Sequence, residues 1–183
     1  MNSVKIIRTN SSNKDFQELV TELDKDLAIR DGEFHAFFSQ YNKVDKINHI
    51  AIAYLNENPV GCGAIKHYSN TTMEVKRMYV NPDFRGNRIA AKILNELEKW
   101  AAEIGYERCI LETGIKQPEA IALYERCGYT RIENYDQYKD KEVVKKHEQL
   151  LKQLGEKDRV FSLEWNGENI TLMECCDYCF GHD

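Results

Sequence analysis

Arg85-Gly86-Asn87-Arg88-Ile89-Ala90 carries residue types that can bind an anion through the backbone. Gly86 has no Cβ, so the main chain there can approach a ligand closely. Beyond it, Ile89, Ile93, Leu97, Trp100, Ala101 and Ile104 recur at helical spacing and mark one buried face of an amphipathic helix. The amides that open a helix lack intrahelical partners and bind anions, phosphates above all. The same glycine could equally shape a plain turn, and spacing alone does not separate the two.

Other constellations are weaker. No Gly-Lys-Ser/Thr loop, no Gly-x-Gly-x-x-Gly and no activated Ser-His-Asp or Cys-His arrangement occurs. Cys175, Cys176, Cys179 and His182 form a permissible zinc set, with knuckle spacing between Cys176 and Cys179. All four lie within eight residues, and no glycine between Cys175 and Cys179 helps the chain fold back. The expectation is therefore no metal, with Leu172, Cys175 and Cys176 continuing an apolar strand. Cys62, Cys109 and Cys127 fall on core elements and read as small hydrophobes.

These residues need elements to position them. Val75, Met78, Tyr79 and Val80 give the segment before the loop strand character, and Asn81-Pro82-Asp83 supplies the turn. Upstream, Val4–Ile7 reads as a short strand. Ser12-x-x-Asp15 opens a helix carrying Phe16, Leu19, Val20, Leu23 and Leu27. A second helix is expected from Glu33 to Asn42, where Phe34, Phe37, Phe38 and Tyr41 serve as core or as a pocket wall, and His35 falls off that stripe. His49–Leu55 and Val60–Lys66 form a hairpin across Asn56–Pro59, and a turn at Tyr68–Thr71 leads into the central strand.

After the central helix, Arg108–Glu112 reads as a fifth strand, making Met73–Glu112 a right-handed parallel crossover. Pro118 starts a further helix with Ala120, Leu123, Tyr124 and Cys127 on its apolar face. Gly128 ends that helix, and Tyr129–Glu133 is a sixth strand.

The strand, loop and helix around Arg85–Ala90 resemble the acetyl-CoA-binding motif of the GNAT superfamily of N-acetyltransferases, Gln/Arg-x-x-Gly-x-Gly/Ala. Arg85 and Ala90 match, whereas Arg88 stands where the family usually has glycine. A side chain there must point away from the pyrophosphate or join it as a cation. The segment Leu111–Tyr129 resembles the family's later motif, a helix carrying Leu-Tyr and ending Gly-Tyr. The combined wording is similar to small bacterial members of undefined substrate, over Met73–Tyr138 and back to Val4.

The resemblance implies an α/β fold with a mixed central sheet: an antiparallel N-terminal meander, a parallel strand–helix–strand crossover and flanking helices. It covers an acetyltransferase domain over residues 1–140. Residues 141–183 form an extension, with a helix over Lys141–Leu154 and a hairpin across Asn166-Gly167. The family's seventh strand is then either displaced beyond that helix or replaced by the hairpin.

By the same resemblance the chain is an acetyl-CoA-dependent N-acetyltransferase. The acetyl group moves to a primary amine of a small molecule or peptide, by direct attack through a tetrahedral intermediate. A lysine-type amine has a pKa near 10.4, so a base must take its proton. Glu74 occupies the place of the glutamate base of the histone-acetyltransferase branch; otherwise it is a strand carboxylate paired with a Lys or Arg. Met78 would donate an N–H to the thioester oxygen, and Val80 would bond the pantetheine arm. Arg85, Gly86, Asn87, Arg88, Ile89 and Ala90 would hold the pyrophosphate, mostly by main-chain amides. Tyr124 would protonate the departing thiolate, or else simply pack. The rival class is an acyl-CoA-binding sensor or interaction module with little catalysis.

Bulk properties agree with this. A chain of 183 residues can bury a real core, and its net charge of −5 without a Lys/Arg run argues against nucleic acid. The N-terminus lacks a signal-peptide core and no segment is long enough to span a membrane, which implies a cytoplasmic protein with reduced cysteines. A homodimer is compatible with all of this.

Overall fold

Why the chain begins as it does is visible in its first two elements. In the computed structural model, which describes residues 3–31, 47–114, 117–133, 135 and 160–165, β1 (Lys5–Thr9) leads into α1 (Lys14–Asp31). Asn13 caps α1, its Oδ1 accepting the Phe16 N–H at 3.2 Å. Ser12, the expected cap, instead donates to Asn10 Oδ1 through both its amide and its hydroxyl. Phe16, Leu19, Val20 and Leu23 are buried as their spacing requires, with Leu27 packed at the margin. The expected helix over 33–42 lies outside the described residues.

β2 (His49–Leu55), β3 (Asn58–Ser69) and β4 (Thr72–Val80) follow, and the meander pairs antiparallel in the order β1-β2-β3-β4. The β2–β3 turn is tighter than the expected four residues. Leu55 pairs with Asn58, and Asn56 and Glu57 both adopt positive φ, 50° and 66°. That is the two-residue hairpin whose twist matches the strands it joins.

A 3-10 turn (Pro82–Phe84) connects β4 to α2 (Ile89–Glu103). Ile89, Ile93, Leu94, Leu97 and Ala101 are buried on α2, but Ile104 is 41% exposed, because the helix ends before that position can turn inward. Arg8 of β1 ties to α2 through Glu96 and Glu103 and lies over the Trp100 ring at 4.9 Å. After α2, Glu107 and Arg108 both donate their amides to the Thr71 carbonyl. β5 (Arg108–Gly114) therefore sets out beside the beginning of β4, as a parallel crossover requires.

The chain divides into two units, Met1–Cys109 and Ile110–Asp183. In the second, α3 (Pro118–Arg126) starts on its proline and ends at Gly128, φ 85°. The Gly128 and Tyr129 amides return to the carbonyls of Glu125 and Tyr124, closing the last turn. β6 (Thr130–Ile132) pairs antiparallel with β7 (Val160–Trp165), Thr130 opposite Glu164. The strand that pairs with β6, which lies at the sheet edge, thus comes from beyond residue 140 and follows the expected Phe161–Trp165 segment. The helix expected over 141–154, the second hairpin strand and the cysteine cluster lie outside the described residues. With seven strands and three α-helices among the described residues, the fold is mixed α/β. No described helix is long and apolar enough to cross a membrane.

Candidate active site

β4 does not run straight to its end. Cys62 pairs with Tyr79, and Ala64 with Lys76, so Arg77 and Met78 together oppose the single residue Gly63. This is a bulge, which breaks the ladder and re-aims the backbone groups within it. Arg77 adopts φ 58°, a left-handed conformation that is uncommon outside glycine. Its carbonyl accepts from Cys62 Sγ at 3.5 Å, and its guanidinium reaches Asp24 of α1 at 2.7 Å. Gly63 leaves room for the side chains packed opposite the bulge. A Cβ there would lie 2.4 Å from Met78 Sδ, 2.8 Å from Ile93 Cγ2 and 2.9 Å from Leu97 Cδ1.

Glu74 precedes the bulge by three residues and is buried, 7% exposed. Its carboxylate pairs with Lys76 Nζ at 2.8 Å, two residues on along the strand and on the same side of it. Burying a carboxylate requires a charged or hydrogen-bonding partner, and Lys76 supplies one for Glu74. Val80 closes β4, buried at its end.

Beyond Val80 the backbone turns outward. Gly86 adopts φ 79°, and an added Cβ would meet nothing within 4 Å, so the loop is open on that side. Arg88 caps α2 with φ 57° and ψ 18°, supplying no side-chain cap. The family's usual glycine suits this left-handed position, and here an arginine adopts it. The first helical bond runs from Lys92 N–H to the Arg88 carbonyl, leaving the Ile89, Ala90 and Ala91 amides ahead of the ladder. No acidic residue occupies the first turn of α2. Open amides and a positive helix end make this junction suited to a pyrophosphate.

Arg85 behaves differently from its neighbours. Its amide donates to the Pro82 carbonyl, its Nε to the Val80 carbonyl at 3.0 Å and its Nη2 to Asp26 at 3.2 Å. Asn87 Nδ2 donates to the Phe84 and Arg85 carbonyls. Both side chains therefore brace the loop, while Gly86 and the residues after Asn87 offer main chain.

In the second unit Tyr124 is buried on α3, its ring 5.7 Å from that of Tyr129. Burial, with a smaller contribution from Cys127, pushes its hydroxyl well above the usual tyrosine range. A phenol so placed keeps its proton at neutral pH. The structure therefore brings Glu74, Met78, Val80 and Arg85–Ala90 along one strand, loop and helix start, and sets Tyr124 on α3. It adds Arg77, Asp24 and Asp26, which no motif or periodicity singles out.

The acetyltransferase (GNAT) family model matches residues 12–129. The IAA acetyltransferase of Azospirillum brasilense is 31% identical over 131 residues, 70% of this chain and 86% of that protein. The aminoalkylphosphonate N-acetyltransferase of Salmonella typhimurium is 34% identical over 116 residues, 61% of this chain and 71% of that protein. A GNAT family acetyltransferase from Elizabethkingia anophelis, solved with acetyl-CoA bound, superposes with a TM-score of 0.61 at 15% identity, covering 91% of this chain and 99% of the other.

Proposed function

Because the chain belongs to the acetyltransferase (GNAT) family, an acetyl-CoA-dependent group of acyltransferases, we propose that it N-acetylates a primary amine of a small molecule or peptide. The observation that carries this is the β4–α2 junction, where open backbone at Gly86 meets the uncapped, acid-free start of α2. Gly86, Asn87, Arg88, Ile89 and Ala90 would hold the pyrophosphate, with Arg85 bracing the loop beneath it. Val80 would bond the pantetheine arm. When bound, acetyl-CoA supplies an activated acyl group.

The acceptor amine attacks the thioester directly, and Glu74 takes its proton, directly or through a water. The Met78 N–H, which lies within the bulge, stabilises charge developing on the thioester oxygen. Tyr124 returns a proton to the departing thiolate. The two relatives above act, by their names, on IAA and on aminoalkylphosphonates, which supports a small-molecule acceptor.

Thiol release from acetyl-CoA, screened across amino acids, aminoalkylphosphonates, polyamines, aminoglycosides and peptide N-termini, tests the proposal. Turnover with at least one amine is expected. Binding of acetyl-CoA without turnover on any amine would favour the sensor class instead. Glu74→Gln should then slow turnover about 10²–10⁴-fold, most at low pH where the amine is most protonated, and Tyr124→Phe should lower kcat with little change in cofactor affinity.

A further inference from the structure

We infer that Arg77 and Asp24 form a positioning pair for acetyl transfer, their ion pair holding the β4 bulge in the shape that presents the Met78 N–H. The inference deepens the proposed function and rests on the role given there to Met78.

Three observations converge on Arg77. Its backbone is left-handed inside a strand, a conformation that persists only where the surroundings over-determine it. Its side chain is 6% exposed, so the guanidinium has been taken out of water and needs a charged partner. That partner is Asp24 Oδ1 on α1, 2.7 Å from Nη1 and 53 residues earlier in the chain. The Asp24 side chain is itself 45% exposed, so the helix contributes a solvated carboxylate to a buried cation.

The bulge is held at two further points. Cys62 Sγ donates to the Arg77 carbonyl, and Met78 Sδ lies over Gly63 beside Ile93 and Leu97. Side chain, carbonyl and neighbouring thioether thus grip two consecutive residues. The Arg77 carbonyl and the Met78 N–H belong to one planar peptide, so the contacts that hold these two residues also aim that N–H. Releasing the Arg77 side chain lets φ relax toward the β region and turns that N–H away from the position the thioester oxygen must occupy. Neither residue needs to touch a substrate; Arg77 acts through the backbone of its neighbour, and Asp24 through Arg77.

The experiment compares four proteins: wild type, Arg77→Met, Asp24→Asn and the double variant. Each is assayed for kcat with an accepted amine and for acetyl-CoA affinity by calorimetry. Arg77→Met keeps the aliphatic stem, and Asp24→Asn changes only a half-exposed partner, so a folded protein is available even if one variant is destabilised. The expected result is a loss of about tenfold in kcat for each single variant, acetyl-CoA Kd within about twofold, and a double variant no slower than the worse single one. Arg77→Lys should recover part of kcat. A purely structural role would lower the melting temperature without this split.

Replacing Met78 by its α-hydroxy analogue, which exchanges the N–H for an ester oxygen, separates the two levels. If the ester slows kcat while Arg77→Met and Asp24→Asn do not, the positioning pair is overturned and the role of Met78 stands. If the ester leaves kcat unchanged, the role of Met78 falls and this inference falls with it. Slowing by both, with no further loss when Arg77→Met is combined with the ester, supports the inference.

Discussion

Arg77 and Arg88 adopt nearly the same left-handed backbone, φ 58° and 57°, in two regions that differ in what holds them there. At Arg88 the cause is local. The residue ends the loop and begins α2, and its carbonyl takes the first helical bond from Lys92. At Arg77 the cause is tertiary, because a strand mismatch against Gly63 and an ion pair to α1 impose the conformation. Their glycines repeat the contrast. Gly86 faces open space, whereas a Cβ on Gly63 would strike Met78, Ile93 and Leu97. One region leaves room for a ligand; the other is packed until its geometry cannot drift.

Breaking the open region should produce the largest effect. Gly86→Asp sets a carboxylate where the pyrophosphate is proposed to bind, and like charges in such contact cost several kcal/mol, on the order of a 100-fold or greater loss in acetyl-CoA affinity. Nothing lies within 4 Å of the new Cβ, but the left-handed φ of 79° strains any side chain, so the variant should lose about 1 kcal/mol of stability and remain folded. Calorimetry and thermal unfolding on the same sample check both halves, and unchanged affinity would move the cofactor elsewhere.

The packed region should respond in stability. Gly63→Ala forces Met78 and α2 apart, and overpacking of this kind costs about 1–3 kcal/mol. Urea unfolding should show it, together with a drop in kcat as the bulge shifts. A variant as stable and as active as wild type would mean that the bulge is not locked by its neighbours.

The two arginines give the sharpest test and the smallest effects. Arg77→Gly relieves the left-handed strain but removes a charge-paired side chain and puts glycine in a strand. The net cost should be about 1–2 kcal/mol, discounted for the exposed half of the pair. Arg88→Gly relieves the same strain at a helix start, against the greater chain entropy of glycine, so its stability should stay within about 0.5 kcal/mol of wild type. Urea midpoints measured side by side decide it. Equal losses at the two positions would erase the distinction between local and tertiary causes.

Much of the scaffold was legible. The face of α2 from Ile89 to Ala101, the proline start and glycine end of α3, and the strand–loop–helix order around Gly86 all follow from residue spacing and turn chemistry. Where the pattern misled, the physics was finer than periodicity. Asn13 outcompeted Ser12 as a cap because Ser12 was already committed to Asn10. Asn56 and Glu57 accepted positive φ, allowing a turn two residues shorter than composition suggested. Ile104 kept helical spacing past the end of its helix and therefore met solvent.

By itself, then, the sequence determined the family and the glycine-to-helix junction proposed to hold the pyrophosphate. A glycine before an amphipathic helix dictates local backbone, and local backbone is what recognises a pyrophosphate. Glu74 was readable as a strand carboxylate with a cationic neighbour, and Lys76 is that neighbour. The bulge was not readable, because it exists only as a mismatch in register between β4 and β3. Nor was the link from Arg77 to Asp24, since residues 53 apart share no periodicity and meet only when α1 packs over the sheet. Short-range chemistry is written along the chain, whereas the aim of a single N–H is set by partners that only folding brings together.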